Sequence, residues 1–394
     1  MWAGLSASMG WATIVATPRE ARATDGGHVD WDTLIRDELG PMVPYAPGLR
    51  GSEVREQCGC EVIHKLSSNE NPYGPVPAAI EAMAALAPRL NRYPDGSARS
   101  LKAALAKHLG VAIQNIAVGN GSNELLRLIA QAVLRPGDEC VFSWPSFVVY
   151  PMVTQLMGAT SVKVGLNEGQ AHDLDAMLDA ITDRTRLVFL CNPNNPTGTI
   201  YGRDAFDRFM RAVPEHVLVV ADEAYFEYVT SAEYPDSLTW FDGERPLCVL
   251  RTFSKIYSLA GLRVGYGVFP EPMVTALNKT REPFNVSSMA QVAAYYSLQD
   301  TAEVERRRSV NATQRDVLCD AFDRLGVTWI PSETNFVYVL TDTPVELFQA
   351  LLSSGVIVRD FGTAPALRVG IGTPADTAAT IAAFETALDE MGRD

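Results

Sequence analysis

Two uninterrupted apolar runs, 187–191 and 217–221, each break off abruptly into a polar, turn-forming segment, and no other feature restricts the possible folds as much. A strand with one wet face alternates apolar and polar residues. A continuous apolar run suits a strand covered on both faces, as in a parallel sheet packed between helices. Further strand-like runs fall at 115–118, 139–143, 161–164 and 247–253. Between and before them lie helical patterns at 76–87, 97–109, 173–181 and 203–212, with Leu125, Leu126, Ile129, Ala130 and Val133 recurring at helical spacing. This alternation predicts an α/β fold with a mostly parallel sheet flanked by helices, in which ligands gather at the carboxyl ends of the strands.

Beyond Arg281 the pattern changes to a long helical stretch over 287–325, short strands near 335–340 and 367–371, and a terminal helix. At 394 residues the chain is too long for one small core. We therefore expect a large domain over 76–290 and a smaller α/β C-terminal domain over 291–394. Residues 28–75 are expected to supply an N-terminal arm and part of the small domain. Residues 1–27 form an Ala- and Gly-rich leader in which Ala21-Arg22-Ala23 imitates a signal-peptidase site, but no Lys or Arg precedes Arg19. Without a positive n-region a disordered leader and a cytoplasmic protein are expected in preference to export.

A formal charge of −14 opposes general binding to nucleic acid or to an anionic membrane surface, so any phosphate or carboxylate must be held by a local group of Arg and Lys. The six cysteines show neither zinc spacing nor a compact disulfide framework. Cys140, Cys191 and Cys248 sit in or beside apolar runs and read as reduced core residues; Cys58 and Cys60 make a weak case for anything.

Nearly every chemically suggestive motif follows a strand. Lys255 comes after the run 247–253, with Thr252, Ser254 and Ser258 around it and Arg263 eight residues on. A lysine amine whose charge is discouraged by burial or a neighbouring cation can form a Schiff base with an aldehyde, and hydroxyls beside an arginine suit a phosphate. Pyridoxal phosphate combines the two. A solvated loop lysine is the bland alternative. Gly119-Asn-Gly-Ser-Asn-Glu opens a helix straight after a strand, where free N–H groups and the helix dipole suit a phosphate. It also imitates a dinucleotide fingerprint, although Glu124 stands where that pattern has its third glycine. Asn192-Pro-Asn-Asn-Pro-Thr-Gly is a rigid turn able to project an amide. Asp222, in Asp222-Glu-Ala-Tyr225, ends an apolar run, where a buried carboxylate needs a cationic partner such as a protonated pyridine nitrogen. Arg368 stands alone in an apolar strand, and Arg359 precedes Asp360; each is either an anion clamp or half of a local ion pair.

Together these segments resemble the fold-type I pyridoxal-phosphate aminotransferases, in the histidinol-phosphate aminotransferase branch and close to its aromatic amino acid relatives. The resemblance runs from about Pro44 to the C-terminus. It rests on Pro44-Tyr45-Ala-Pro-Gly, Leu66-Ser-Ser-Asn-Glu-Asn-Pro-Tyr-Gly-Pro, Asn91-Arg-Tyr-Pro-Asp-Gly, Gly119-Asn-Gly-Ser-Asn-Glu and Asn192-Pro-Asn-Asn-Pro-Thr-Gly. It continues through Ala221-Asp-Glu-Ala-Tyr, Arg251-Thr-Phe-Ser-Lys, Ala260-Gly-Leu-Arg-Val-Gly and Glu333-Thr-Asn-Phe.

The resemblance implies that Lys255 is the Schiff-base lysine and proton shuttle, that Asp222 pairs with the ring nitrogen, and that Asn195 and Tyr225 bind the ring hydroxyl. It implies stacking by Phe147 and a phosphate held by Gly121, Ser122, Asn123, Thr252, Ser254 and Arg263. Tyr93 would reach that phosphate from a neighbouring subunit, which implies a homodimer with shared sites. Tyr45 and Arg359 would meet the phosphate of histidinol phosphate, and Arg368 a substrate carboxylate. The implied reaction moves an amino group between a small-molecule donor and 2-oxoglutarate. An aromatic amino acid donor and a decarboxylase of a phosphorylated amino acid remain open on the same scaffold. Outside that class, a dinucleotide-dependent oxidoreductase would leave Lys255, Asn195 and Arg368 without a purpose. A sensor protein would need a DNA-binding domain for which residues 1–43 are too few.

Overall fold

The computed structural model describes residues 31–45, 48–362 and 364–392. The leader expected over 1–27 lies outside these described residues. Seven strands form the main sheet: β1 (Ile116–Gly119), β2 (Glu139–Trp144), β3 (Thr160–Gly165), β4 (Thr185–Cys191), β5 (Leu218–Asp222), β6 (Leu247–Thr252) and β7 (Gly265–Val268). Their spatial order is β1-β7-β6-β5-β4-β2-β3. All pairs are parallel except those made by β7, which runs antiparallel to both β6 and β1. Two reversals restore the direction, so β1 ends at the same edge as β4, β5 and β6.

The apolar runs are continuous because both faces of this sheet are covered. Along β4, Leu187, Phe189 and Cys191 pack on one side with Leu126 and Ile129 of the helix Ser122–Val133, whereas Val188 and Leu190 pack on the other with Phe206 and Phe209 of the helix Arg203–Ala212. Cys140, Cys191 and Cys248 are buried free thiols, as expected.

The C-terminal part holds a four-stranded antiparallel sheet of β8 (Thr328–Ile330), β9 (Phe336–Leu340), β10 (Arg359–Asp360) and β11 (Ala366–Gly370), in the order β10-β11-β9-β8. The helical stretch expected over 287–325 is two helices, Ser288–Gln299 and Thr301–Leu325. They part at Asp300, whose carboxylate accepts a hydrogen bond from the Glu303 N–H and so caps a new helix start. The segment before the main sheet also belongs to this part of the molecule: His64–Lys65 pairs in parallel with Val356–Ile357, and the Gly370 N–H donates to the Leu66 carbonyl. Cys58 and Cys60 are joined by a disulfide, a pairing that the sequence reading did not anticipate. No helix among the described residues is long and apolar enough to cross a membrane.

Candidate active site

Three neighbouring strands deliver the central groups. β4 ends at Cys191 and leads to Asn195, β5 ends in Asp222, and β6 ends at Thr252, three residues before Lys255. The Lys255 amine donates to the main-chain carbonyls of Ser68 at 3.4 Å and Asn69 at 3.2 Å, and lies 5.6 Å from the Tyr225 ring centre. Burial, reinforced by the positive charge of Arg368 and less so of Arg263, holds the amine down at about 7. A solvated loop lysine would not behave in this way.

Asp222 is buried, and its Oδ2 accepts a hydrogen bond from the Tyr150 hydroxyl at 2.9 Å. Its Oδ1 has no hydrogen-bond partner among the described residues. Burial raises the carboxyl to about 6, with the Tyr150 bond opposing the rise. An orphaned carboxylate oxygen in a dry site suits a positively charged N–H donor from a ligand. Glu223, next in the chain, points elsewhere and pairs with Arg251 at 2.8 Å.

Close backbone approaches gather where β1, β6 and β7 meet. Gly121 has φ +80°, and a Cβ there would stand 2.5 Å from Arg263 Nη2. A Cβ on Gly265 would stand 2.5 Å from the Ser122 N atom. The backbone at Ser122 and Asn123 begins a 12-residue helix, so its free N–H groups sit at the positive end of the dipole. Arg263 donates to the Ser254 hydroxyl at 3.4 Å, and Thr252 Oγ1 accepts the Ser254 N–H at 3.1 Å. Ser258 is not part of this group: its hydroxyl accepts from Arg307 at 2.6 Å.

Arg368 lies among aromatic rings, 5.1 Å from the Phe336 centroid and 5.8 Å from that of Phe361. It donates to Asn195 Oδ1 and to the Ser67 carbonyl at 2.8 Å, while its Nε has no partner and no carboxylate pairs with it among the described residues. Burial lowers its guanidinium to about 10; Tyr225 opposes this and Arg359 adds to it. Arg359 stands directly across the strand pair from Arg368, and its guanidinium lies 5.8 Å from the Tyr45 ring centre.

Residues 61–384 match the family model for aminotransferase class I and II. The chain belongs to that family. It is 48% identical over 343 residues to a histidinol-phosphate aminotransferase of Moorella thermoacetica, covering 86% of this chain and 89% of that one. It is 45% identical over 339 residues to an aromatic amino acid aminotransferase of Streptomyces coelicolor, covering 86% and 93%. Among solved structures, the histidinol-phosphate aminotransferase of Sinorhizobium meliloti in complex with pyridoxal-5'-phosphate superposes with a TM-score of 0.82 at 28% identity, covering 91% of this chain and all of that one.

Within this aminotransferase, Phe147 packs edge-on against Tyr150, the tyrosine bonded to Asp222, with ring centroids 5.7 Å apart. Tyr225 is buried, and its hydroxyl accepts from the Asn69 amide at 2.8 Å. Tyr93 stands apart: it is 82% exposed and stacks on Phe284 at 4.6 Å. A cavity of about 310 Å³ beside Phe284, lined also by Lys102 and Arg281, shares no residue with the Lys255 cluster.

The sequence reading did not single out Tyr150, Asn69 or Asn335. A tyrosine on an amphipathic helix looks like core, and the motif containing Asn69 lies more than 150 residues from Tyr225. Asn335 donates to the Asn69 carbonyl at 3.1 Å, again across a separation no local pattern reveals.

Proposed function

We propose that this aminotransferase moves the amino group of histidinol phosphate to 2-oxoglutarate, with pyridoxal phosphate held at the edge of the main sheet. The register of Arg359 against Arg368 carries the choice of substrate. Residues directly opposite in an antiparallel pair share one face, so Arg359 and Arg368 rise from the same face, with the Arg359 guanidinium 5.8 Å from the Tyr45 ring centre. Two arginines suit a phosphate dianion, whereas Arg368 alone suffices for the singly charged α-carboxylate of 2-oxoglutarate or glutamate. Relatives named for histidinol phosphate, at 43–48% identity, support the same choice.

The residues present fit the cofactor. Asp222 Oδ1 has the free lone pairs to hold a ring-nitrogen proton, Phe147 offers a face for the ring, and Asn195 with Tyr225 would orient the ring oxygen. Gly121, Ser122, Asn123, Thr252, Ser254 and Arg263 would hold the phosphate. When bound, pyridoxal phosphate supplies an aldehyde for amines and a ring that accepts the electron pair left at the substrate carbon. Lys255 Nζ, held down at about 7 so that a large share is neutral at that pH, would accept the proton released at that carbon and carry it at Nζ. Arg368 fixes the substrate so that this carbon faces the amine, and Asp222 keeps its own charge beside the ring. Tyr93 would complete the phosphate site of a second copy, making the enzyme a homodimer; its exposure on a stacked aromatic pair supports this. A cytoplasmic location is proposed as part of the same reading.

The 45% identity to an aromatic amino acid aminotransferase favours a second reading, with phenylalanine or tyrosine as donor. A panel of histidinol phosphate, phenylalanine and tyrosine with 2-oxoglutarate separates the two. We expect kcat/KM for histidinol phosphate to exceed the others by about a hundredfold, close to 3 kcal/mol in transition-state binding. The reverse order would establish the aromatic reading.

A further inference from the structure

Chain segment 66–71 crosses the site and ties its parts together through main-chain carbonyls. Ser67 O accepts from Arg368 at 2.8 Å, Ser68 O and Asn69 O accept from Lys255, and Asn69 O also accepts from Asn335. Asn69 is 3% exposed and has φ +53°, a left-handed conformation that asparagine tolerates better than most side chains. Its side-chain amide donates to the Tyr225 hydroxyl at 2.8 Å, and its Oδ1 is buried without a partner.

The consequence lies in the hydroxyl proton. A tyrosine O–H that already accepts a hydrogen bond from Asn69 has its own proton left to donate, and the acceptor must come from elsewhere. We infer that Asn69 is a positioning residue for the transamination, holding Tyr225 as a donor toward the cofactor's ring oxygen while its carbonyl steadies the Lys255 amine. This inference rests on the functional reading above. A donor aimed at the ring oxygen draws negative charge from it, and that charge would otherwise help to retain the proton at the Lys255 nitrogen. Weakening the donor therefore makes that proton harder to remove.

Asn69→Gly tests the idea, because glycine keeps the left-handed backbone and the carbonyl while deleting the amide. Asn69→Asp is the isosteric companion: its carboxylate would accept the Tyr225 proton and reverse the bond. The measurement is the midpoint pH of the absorbance change of bound pyridoxal phosphate, in the wild-type holoenzyme and both variants. We expect the midpoint to rise by about half a unit or more in Asn69→Gly and further in Asn69→Asp. We expect kcat to fall about tenfold, with KM within about twofold. In a Tyr225→Phe background, Asn69→Gly should move the midpoint no further, because the group through which it acts is gone. Wild-type midpoints in both variants, or an equal shift with and without the Tyr225 hydroxyl, would overturn the inference. If wild-type protein binds no such chromophore, the cofactor reading itself fails, which is a different result.

Discussion

The Tyr150 hydroxyl donates to Oδ2 of Asp222 at 2.9 Å, whereas Oδ1 has no hydrogen-bond partner among the described residues. Tyr150 cannot easily turn away, since its ring is fully buried and stacks on Phe189 at 4.6 Å. Asp222→Asn replaces a charged acceptor with a neutral amide of the same shape. We expect kcat to fall by on the order of 10² to 10³-fold, as when one preorganised electrostatic group is removed. Tyr150→Phe should act more mildly and through Asp222. Losing a donor to the ionised form moves the carboxyl further up, so cofactor affinity would weaken at a higher pH than in the wild type. Steady-state turnover measures the first, and fluorescence titration with pyridoxal phosphate from pH 5 to 8 the second.

Lys255 sits at about 7 without the cofactor because burial and Arg368 disfavour its charge. Only the neutral amine condenses with an aldehyde. Below that pH most molecules carry the ammonium form, so the capture rate should rise about tenfold per unit up to neutrality and level off above it. Stopped-flow absorbance after mixing apoenzyme with pyridoxal phosphate gives this profile. Lys255→Ala should show neither the slow absorbance change nor turnover.

Gly121 is held at φ +80°, with Arg263 where a Cβ would go. Gly121→Ala therefore adds backbone strain of about 1 kcal/mol and displaces the Arg263 guanidinium. Cofactor dissociation should quicken by at least about tenfold, measured by the loss of bound chromophore on dilution, because the lost contacts are charge-assisted. Alanine at Gly137, at the far end of the following helix, where a Cβ meets nothing within 4 Å, carries the conformational penalty without the clash and should leave cofactor affinity unchanged.

The paired arginines separate the two anions. Arg359→Ala should raise KM for histidinol phosphate by about a hundredfold and leave that for 2-oxoglutarate within a few-fold, whereas Arg368→Ala should raise both. Steady-state kinetics with each substrate varied in turn decide this.

Shared sites make a stricter test of Tyr93. Tyr93→Ala and Lys255→Ala should each be inactive or nearly so as homodimers. Refolded together, they would form hybrids with one intact site, and activity should return to about a quarter of wild type. No recovery would mean that Tyr93 serves only its own chain.

Much of this was legible because strands and turns are local. The uninterrupted runs 187–191 and 217–221 require cover on both faces, and turns rich in Pro and Gly mark where each strand delivers its side chains. Asp222, Asn195 and Lys255 lie at or just beyond such an end, with Arg263 later in the same connection as Lys255, so their types and spacing already suggested a Schiff base, a ring partner and a phosphate cradle. Asp300 was harder, since one capping carboxylate divides a stretch whose helical pattern runs straight through it.

Tertiary structure alone decided who meets whom. Asn69 reaches Tyr225 across 156 positions, Arg368 reaches Asn195 across 173, and Tyr150 takes one oxygen of Asp222 across 72. Strand composition determined a sheet and its active edge, because periodicity and turn chemistry act over a few residues. The protonation of Lys255 and the environment of Asp222 were decided by folding, because burial and charge depend on distance through space and not along the chain.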